Sequence, residues 1–522
     1  MASLRTALVE RVDTGRSDTD IALPDREEAI MRPHRTCTGT SENTGQHALP
    51  LAPGQQTIWE LITSLAEDDP GDSRFTAVDF RRLEGELELP AFRRALGDLT
   101  RRHVALRTVF ATTGPDPLVR LDPDLPLPLE YVDLSAVPRR ERATRLAHLA
   151  HDTRFRVFDI VRGPLWSVCL ARTGPAEHIL MISFFHVISD GWSCNVFVED
   201  LVHAYRARLR RCFPQEPLGV TLSHVIEMQG QLLAESPERD AHWRGHLLPL
   251  PQGRVFPPLA PTPHADLTAE ARLTFALDDD VADGLRRLAW RTRTTPFVAL
   301  LAAYVVGLSR RTERDRIVVG TTTLGRDLPS ARRVIGQFTN NVYVETLIGA
   351  TDSFMDVIQS VHATTAAAIR NVAPFKRIAR AVNPHFEQCR PWPDNRLFDA
   401  WFQSGAPASP DLTYPELRVS QFTPPEVERT PGVAPFTVGD VGPRVREWHL
   451  RWAPIVVVDD DRRGGVAVFN GDLYNHDLVA GWITDYRTVV AEMVTDPSRP
   501  AVGRLDRLSP RTSPTGGSEP RR

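Results

Sequence analysis

Apolar and polar positions along the chain alternate between two spacings. In AFRRALGDLTRRHVALRTVF (91–110), Phe92, Leu96, Leu99, Val104 and Leu106 can share one side of a helix. HILMISFF (178–185) is a short apolar run, which predicts a strand covered on both faces. SCNVFVEDLVHAYRARLR (193–210) returns to helical spacing through Val198, Leu201, Val202, Tyr205 and Leu209. HLLPLPQGRVFPPLAPTPH (246–264) is too rich in proline to continue a helix or a central strand, so it is expected to be a crossing segment. A second set follows. ADGLRRLAWRTRTTPFVALLAAYVVGLSRR predicts two helices broken around Thr294–Pro296. RIVVGTTTLG predicts a strand, VIGQFTNNVYVETL a bend into another, and GGVAVFNGDLY with DLVAGWITDYRTVVAEMV a closing strand and helix. Two halves of similar content, each alternating strands and helices, indicate an α/β fold.

The chain has 522 residues, more than one ordinary core organises, so at least two packed units are expected. Residues 1–48, rich in Arg, Ser, Thr and Asp with little periodicity, are expected to be a disordered leader, and residues 507–522 a disordered tail. The net charge of −4 comes from 62 basic and 66 acidic residues without a basic block, so a nucleic-acid surface is not indicated. Lys376 is the one lysine, a bias assigned to the coding genome. Cys37, Cys169, Cys194, Cys212 and Cys389 form no CxxC pair, which argues against a disulfide framework or a thiolate zinc site. The Asp runs 278–280 and 459–461 read as solvated turns, so no metal site is expected. With neither a secretory leader nor a 20-residue apolar segment, a cytoplasmic protein without a membrane partner is expected.

The stretch with the most chemistry is FFHVISDGWS (184–193). An apolar strand carries His186 to a sheet edge, Gly191 allows a tight loop, and the following helix points free N–H groups back at that loop. A neutral imidazole there could accept a proton from an amine or hydroxyl nucleophile. Asp190 could hold the loop through an ion pair or fix the tautomer of His186. From these residues alone a structural or exposed histidine is the commoner reading.

FHVISDGWS resembles the HHxxxDG motif of nonribosomal peptide synthetase condensation domains, a branch of the chloramphenicol acetyltransferase-like superfamily. Other segments match that family in its order. LPLAPGQQTIW (49–59) resembles PLSxAQxxxW, and RRHVALRTVF (101–110) is similar to RHxxLRTxF. FDIVRGPLWSVCLAR (158–172) resembles FDxxxGPLxRxxLxR. GTTTLGRDLP (320–329) is similar to GTPxxGR, VIGQFTNNVYV (334–344) to xIGxFVNTLxxR, and NRLFDAWFQ (395–403) to NPLFxVxF. VIEMQ (225–229) matches the family's AxWQ only weakly.

The resemblance implies two lobes, 49–216 and 217–506, forming a V-shaped pseudodimer with a central tunnel. It implies that His186 is the active-site residue, that Asp190 pairs with Arg326 across the lobes, that Gly191 lies beside the reaction centre, and that Asn340 lies near the channel. Phe185 stands where the family has its first histidine; it is expected near the channel, and a histidine there is expected to fit sterically. The implied reaction joins an acyl or aminoacyl thioester to an amine or alcohol, giving an amide or ester. The donor arrives on the phosphopantetheine of an acyl or peptidyl carrier protein acting in trans, the acceptor is a small molecule or carrier-bound, and no cofactor is bound. A free-standing monomer is expected, since 522 residues leave no space for an adenylation domain. Phe185 disfavours the cyclising relatives, which carry DxxxxD; epimerisation-type relatives share HHxxxDG. An O-acyltransferase acting on a small-molecule alcohol and a non-catalytic module recruiting partner enzymes are the alternatives.

Overall fold

The computed structural model describes residues 51–502 except 66–74, 111–118, 212–223, 225–226, 228, 231–235, 252–254, 257–269, 327–328, 386–396, 406–410, 426–439, 442–453 and 460–461. The expected leader and tail, Cys37, Cys212 and Cys389, and most of the proline-rich crossing segment lie outside the described residues.

The first half runs α1 (Pro53–Leu65), β1 (Thr76–Glu84), α2 (Leu89–Arg102), β2 (Leu129–Asp133), α3 (Arg139–Arg154), β3 (Trp166–Gly174), β4 (Glu177–Phe185) and α4 (Gly191–Leu209). Strand β4 lies between β1 and β3, antiparallel to both, and β2 joins β3 in parallel. Its apolar run is covered on both faces, as its sequence predicts. Leu180, Ile182 and Phe184 face a core shared with α4, while Ile179 and Met181 face α3.

Helix α2 is shorter than its periodicity predicts. It keeps Phe92, Leu96 and Leu99 buried but ends at Arg102, and Val104–Arg107 form a 3-10 turn leading into the strand Thr108–Phe110. Val104, Thr108 and Val109 are β-branched and lose side-chain freedom in a helix. His103 also takes extended backbone angles, with its ring 2.8 Å from Asp200 of α4.

The second half runs α5 (Pro237–Leu247), β5 (Glu270–Ala276), α6 (Asp279–Arg291), α7 (Pro296–Thr312), β6 (Arg316–Thr323), β7 (Asn340–Leu347), α8 (Phe354–Arg370), β8 (Ala400–Ser404), β9 (Leu412–Thr413), β10 (Arg418–Gln421), β11 (Ile455–Val458), β12 (Gly464–Asn470) and α9 (His476–Thr495). The break before α7 falls where the sequence predicts it. Pro296 occupies the first turn, where its missing N–H costs nothing, and the Thr295 hydroxyl accepts from Val298 N at 3.2 Å. The second sheet has the order β5–β12–β11–β8–β6–β7. Strands β9 and β10 leave this half and extend the first sheet through pairing of β10 with β1. A division at 216/217 assigns them to the second lobe, whereas their hydrogen bonds belong to the first. The segment is held there by Arg206, which lies over the Tyr414 ring and pairs with Glu416 at 3.3 Å.

One apolar core lies behind the second sheet, under α7, α8 and α9. A larger one runs through both halves, joining Phe184, Val187 and Phe197 to Ile335, Phe338 and Tyr343. The two halves therefore share a continuous core at the end of β4, where His186 sits. No helix among the described residues is long and apolar enough to cross a membrane.

Candidate active site

Strand β4 ends at Phe185, and His186–Ile188 form a single 3-10 turn before α4 begins at Gly191. His186 is 5% exposed. Its Nδ1 lies 2.7 Å from the Ser189 carbonyl oxygen. A carbonyl only accepts, so Nδ1 carries the proton and Nε2 presents a lone pair. Nε2 has no hydrogen-bond partner among the described residues and is not sealed off from solvent. Burial lowers the pKa of His186, and the Ser189 carbonyl and Asp190 oppose this only in part. The ring is neutral at pH 7 and can accept a proton at Nε2. Gln55 steadies the turn from α1: its Nε2 donates to Val187 O at 2.9 Å, and its Oε1 accepts from Ala52 N at 2.9 Å.

Asp190 caps α4 and ties the halves together. Its Oδ1 accepts from Ser193 N at 2.9 Å and from Arg326 Nη2 at 2.8 Å; its Oδ2 accepts from Phe338 N at 3.2 Å. Arg326 donates further to the carbonyls of Ala331 (2.7 Å), Val334 (2.6 Å) and Gly336 (3.1 Å), and its guanidinium lies over the Phe338 ring. Both members of the pair are 1% exposed. Burial lowers the pKa of Arg326, and Asp190 opposes the shift. Charges this far from water persist only with near-complete hydrogen bonding, and these partners supply it. Gly325 makes the approach possible. Its φ is +62°, and a Cβ there would lie 2.0 Å from Phe338 O.

The structure thus brings His186, Asp190, Gly191 and Arg326 together with the start of β7, where Asn340 Nδ2 donates to Phe338 O at 2.8 Å. Phe185 ends β4 immediately before the His186 turn. It is fully buried in the apolar core, its ring centroid 6.1 Å from that of Phe158. It occupies the last position of the strand, while His186 begins the next turn. A histidine at 185 would therefore bury a polar ring among apolar neighbours. Phe185→His is expected to lower stability by about 1–3 kcal/mol without raising activity; urea unfolding together with an activity assay checks both.

Ser193 belongs to the same arrangement. Its hydroxyl lies 2.7 Å from Asp190 Oδ1 and accepts from Gly336 N of the other half at 3.1 Å, so it belongs to the clasp. Trp192 also crosses over, with Nε1 donating to Arg332 O at 2.8 Å. Gln55 stands inside a matched segment, yet only the folded turn reveals its partner. Cys194 is buried, with its thiol pKa pushed well above the ordinary range by burial, which fits a structural thiol and not a nucleophile.

Burial also lowers the pKa of His103, His178 and His242, the last to about 4. A histidine whose folded pKa lies below its unfolded value near 6.5 binds its proton more readily in the unfolded chain. Its contribution is complete above pH 6.5 and is lost as pH falls below that value. The melting temperature is therefore expected to fall from pH 6.5 toward pH 4. The acid limb of any His186-dependent rate is expected below pH 6.5. A melting temperature flat across that range would contradict the burial of these rings as neutral species.

A family model described as Condensation domain matches residues 45–405. The chain belongs to the condensation domain family. Phosphinothricin tripeptide synthetase PhsC of Streptomyces viridochromogenes is 30% identical over 385 residues, 72% of this chain and 34% of the relative. Chondramide synthase cmdD of Chondromyces crocatus is 27% identical over 453 residues, 86% of this chain and 11% of the relative. The chain thus spans about a third or less of the length of these two curated relatives. Among solved structures, SgcC5 from Streptomyces globisporus, crystallised with a naphthyl-ethanediol and sucrose, has a TM-score of 0.66 at 25% identity. The alignment covers 86% of this chain and all of SgcC5. The X-domain from teicoplanin biosynthesis has a TM-score of 0.67 at 23% identity, covering 88% of this chain and 98% of that one. The fold is the chloramphenicol acetyltransferase-like fold of condensation domains. In nonribosomal peptide synthetases, condensation domains are acyltransferases.

Proposed function

We propose that the protein joins an acyl or aminoacyl thioester, delivered on the phosphopantetheine arm of a carrier protein, to an amine or alcohol acceptor at the junction of the two halves. The observation carrying this reading is the free Nε2 lone pair of His186, with Nδ1 held by the Ser189 carbonyl. An acceptor N–H or O–H bound to Nε2 would attack the thioester carbonyl. The C–N or C–O bond forms, the C–S bond breaks, and the acceptor proton passes to Nε2 and from there to the departing sulfur, which leaves as thiol. Because the ring is already oriented and neutral, little of the barrier goes into arranging it.

Two further observations bear on alternatives. SgcC5 was crystallised with a 1,2-diol, which favours an alcohol acceptor and ester formation as the second reading. An X-domain of this fold is known in complex with OxyB, which is the precedent for a recruitment module. The oriented His186, the intact Asp190–Arg326 clasp and Gly191 support catalysis over recruitment here. The deciding experiment incubates the protein with acyl-loaded carrier and panels of amines and alcohols, with products read by mass spectrometry. An amide or ester product that depends on the protein supports the reading. No product with any pair, alongside tight binding to a tailoring enzyme, overturns it.

A further inference from the structure

The first turn of α1 touches both halves. Gln55 is buried, and its two amide atoms serve different partners. Oε1 accepts at 2.9 Å from the N–H of Ala52, just before the helix, an ordinary return contact for a Gln at the third helical position. Nε2 donates at 2.9 Å to the carbonyl of Val187, 132 positions along the chain. A backbone N–H only donates and a carbonyl only accepts, so chemistry fixes this orientation of the amide. Gly54 meets the other half. A Cβ there would lie 2.7 Å from Thr339 O and 3.0 Å from Gln337 O, so α1 and residues 337–339 are in backbone contact. Phe338, in that same stretch, donates through its N–H to Asp190 Oδ2 at 3.2 Å. These contacts close a ring around the turn that carries His186: Val187, Gln55, Gly54, Thr339, Phe338 and Asp190.

The turn needs support from outside. Its own backbone hydrogen bond, from Ser189 N to His186 O, is 3.4 Å long, at the weak end of the range. Gln55 holds the turn beside His186, and Asp190 holds its far end. We infer that Gln55 and Gly54 are positioning residues: the first turn of α1 is a wedge through which the seating of residues 337–339 sets the direction of the His186 Nε2 lone pair. The wedge acts through the Val187 carbonyl and the chain on either side of it. This deepens the proposed function and rests on it, since that reading makes the lone pair a proton acceptor. A misplacement of about 1 Å at a reacting group costs up to about 10²-fold in rate, so small movements of the wedge are large kinetic effects.

Three variants of the full chain test the wedge. Gln55→Met keeps the side chain's length and removes both hydrogen bonds; kcat is expected to fall about 10–100-fold, with KM changed less. Gly54→Ala keeps every hydrogen-bonding group and forces α1 away from residues 337–339; kcat is expected to fall about tenfold. Both act through one displacement, so the double variant is expected to lose little more than the worse single. Gln55→Glu is the conservative rescue. The new carboxyl, when protonated, can donate to Val187 O and still accept from Ala52 N; ionised, it sets two acceptors face to face. Its rate relative to wild type at the same pH is therefore expected to rise toward one as pH falls, over a range that burial of the carboxyl shifts upward. Selective 15N labelling of histidine gives a readout independent of turnover. The His186 signals, identified by their loss in His186→Ala, are expected to show the Nδ1–H form in wild type and both tautomers in Gln55→Met. An unchanged kcat and tautomer in Gln55→Met would overturn the wedge and leave the proposed function standing. A rate ratio for Gln55→Glu that stays flat with pH would also overturn it. Wild type that makes no product with any carrier and acceptor would instead overturn the proposed function, and the kinetic role of the wedge with it.

Discussion

His186→Ala is expected to lower the rate of product formation by about 10²–10⁴-fold while shifting the melting temperature little. The size follows from what is removed. The ring is neutral, and its Nε2 is the nitrogen left free to accept a proton once Nδ1 is committed to Ser189. The small effect on folding follows from the same geometry. The ring makes one hydrogen bond, to a backbone carbonyl in its own turn, and that turn is held independently by Gln55 through Val187 and by Asp190. His186→Gln separates positioning from proton transfer. Its amide can present a polar group toward the acceptor but cannot take up a proton near neutral pH, so a rate close to wild type would assign His186 an orienting role alone. A His186→Ala protein with full rate would move the chemistry away from this residue altogether.

Much of this arrangement is legible in the sequence because it depends on local rules. The apolar run 178–185, the D-G pair before a helix and the proline before α7 each act over a few residues, and each element forms where those rules put it. The clasp between Asp190 and Arg326 is different. Its partners are 136 positions apart, and no spacing argument links them; the family resemblance does. What neither route supplies is the direction of individual side chains. Phe185 and His186 are neighbours in sequence, yet one completes a core and the other a site, because the strand ends between them. Ser193 reads as a helix cap from its type and position; its second partner, Gly336, becomes visible only when the other half packs against it. The early end of α2 has a similar origin, since His103 finds Asp200 on a helix nearly a hundred positions away. Strands β9 and β10 join the first sheet for reasons that lie in β1 and α4, not in their own short sequences.

Asp190→Ala is expected to cost about 3–5 kcal/mol of stability, because it leaves Arg326 buried beside carbonyls with no counter-charge. The substitution also removes the cap of α4 and the acceptor for Phe338 N, so the loss falls on both sides of the junction. Arg326→Ala mirrors it: the carboxylate keeps Ser193 and the Phe338 N–H, but the carbonyls of Ala331 and Val334 lose their shared donor. The double variant distinguishes a true pair from two separate defects. If the charges stabilise each other, Asp190→Ala with Arg326→Ala is less destabilised than the sum of the two single changes, since no lone charge remains buried. Urea unfolding of the four proteins measures this directly. A double variant whose loss equals that sum would mean that the ion pair does not join the halves, and that Ser193, Trp192 and the shared apolar core hold His186 at the junction without it.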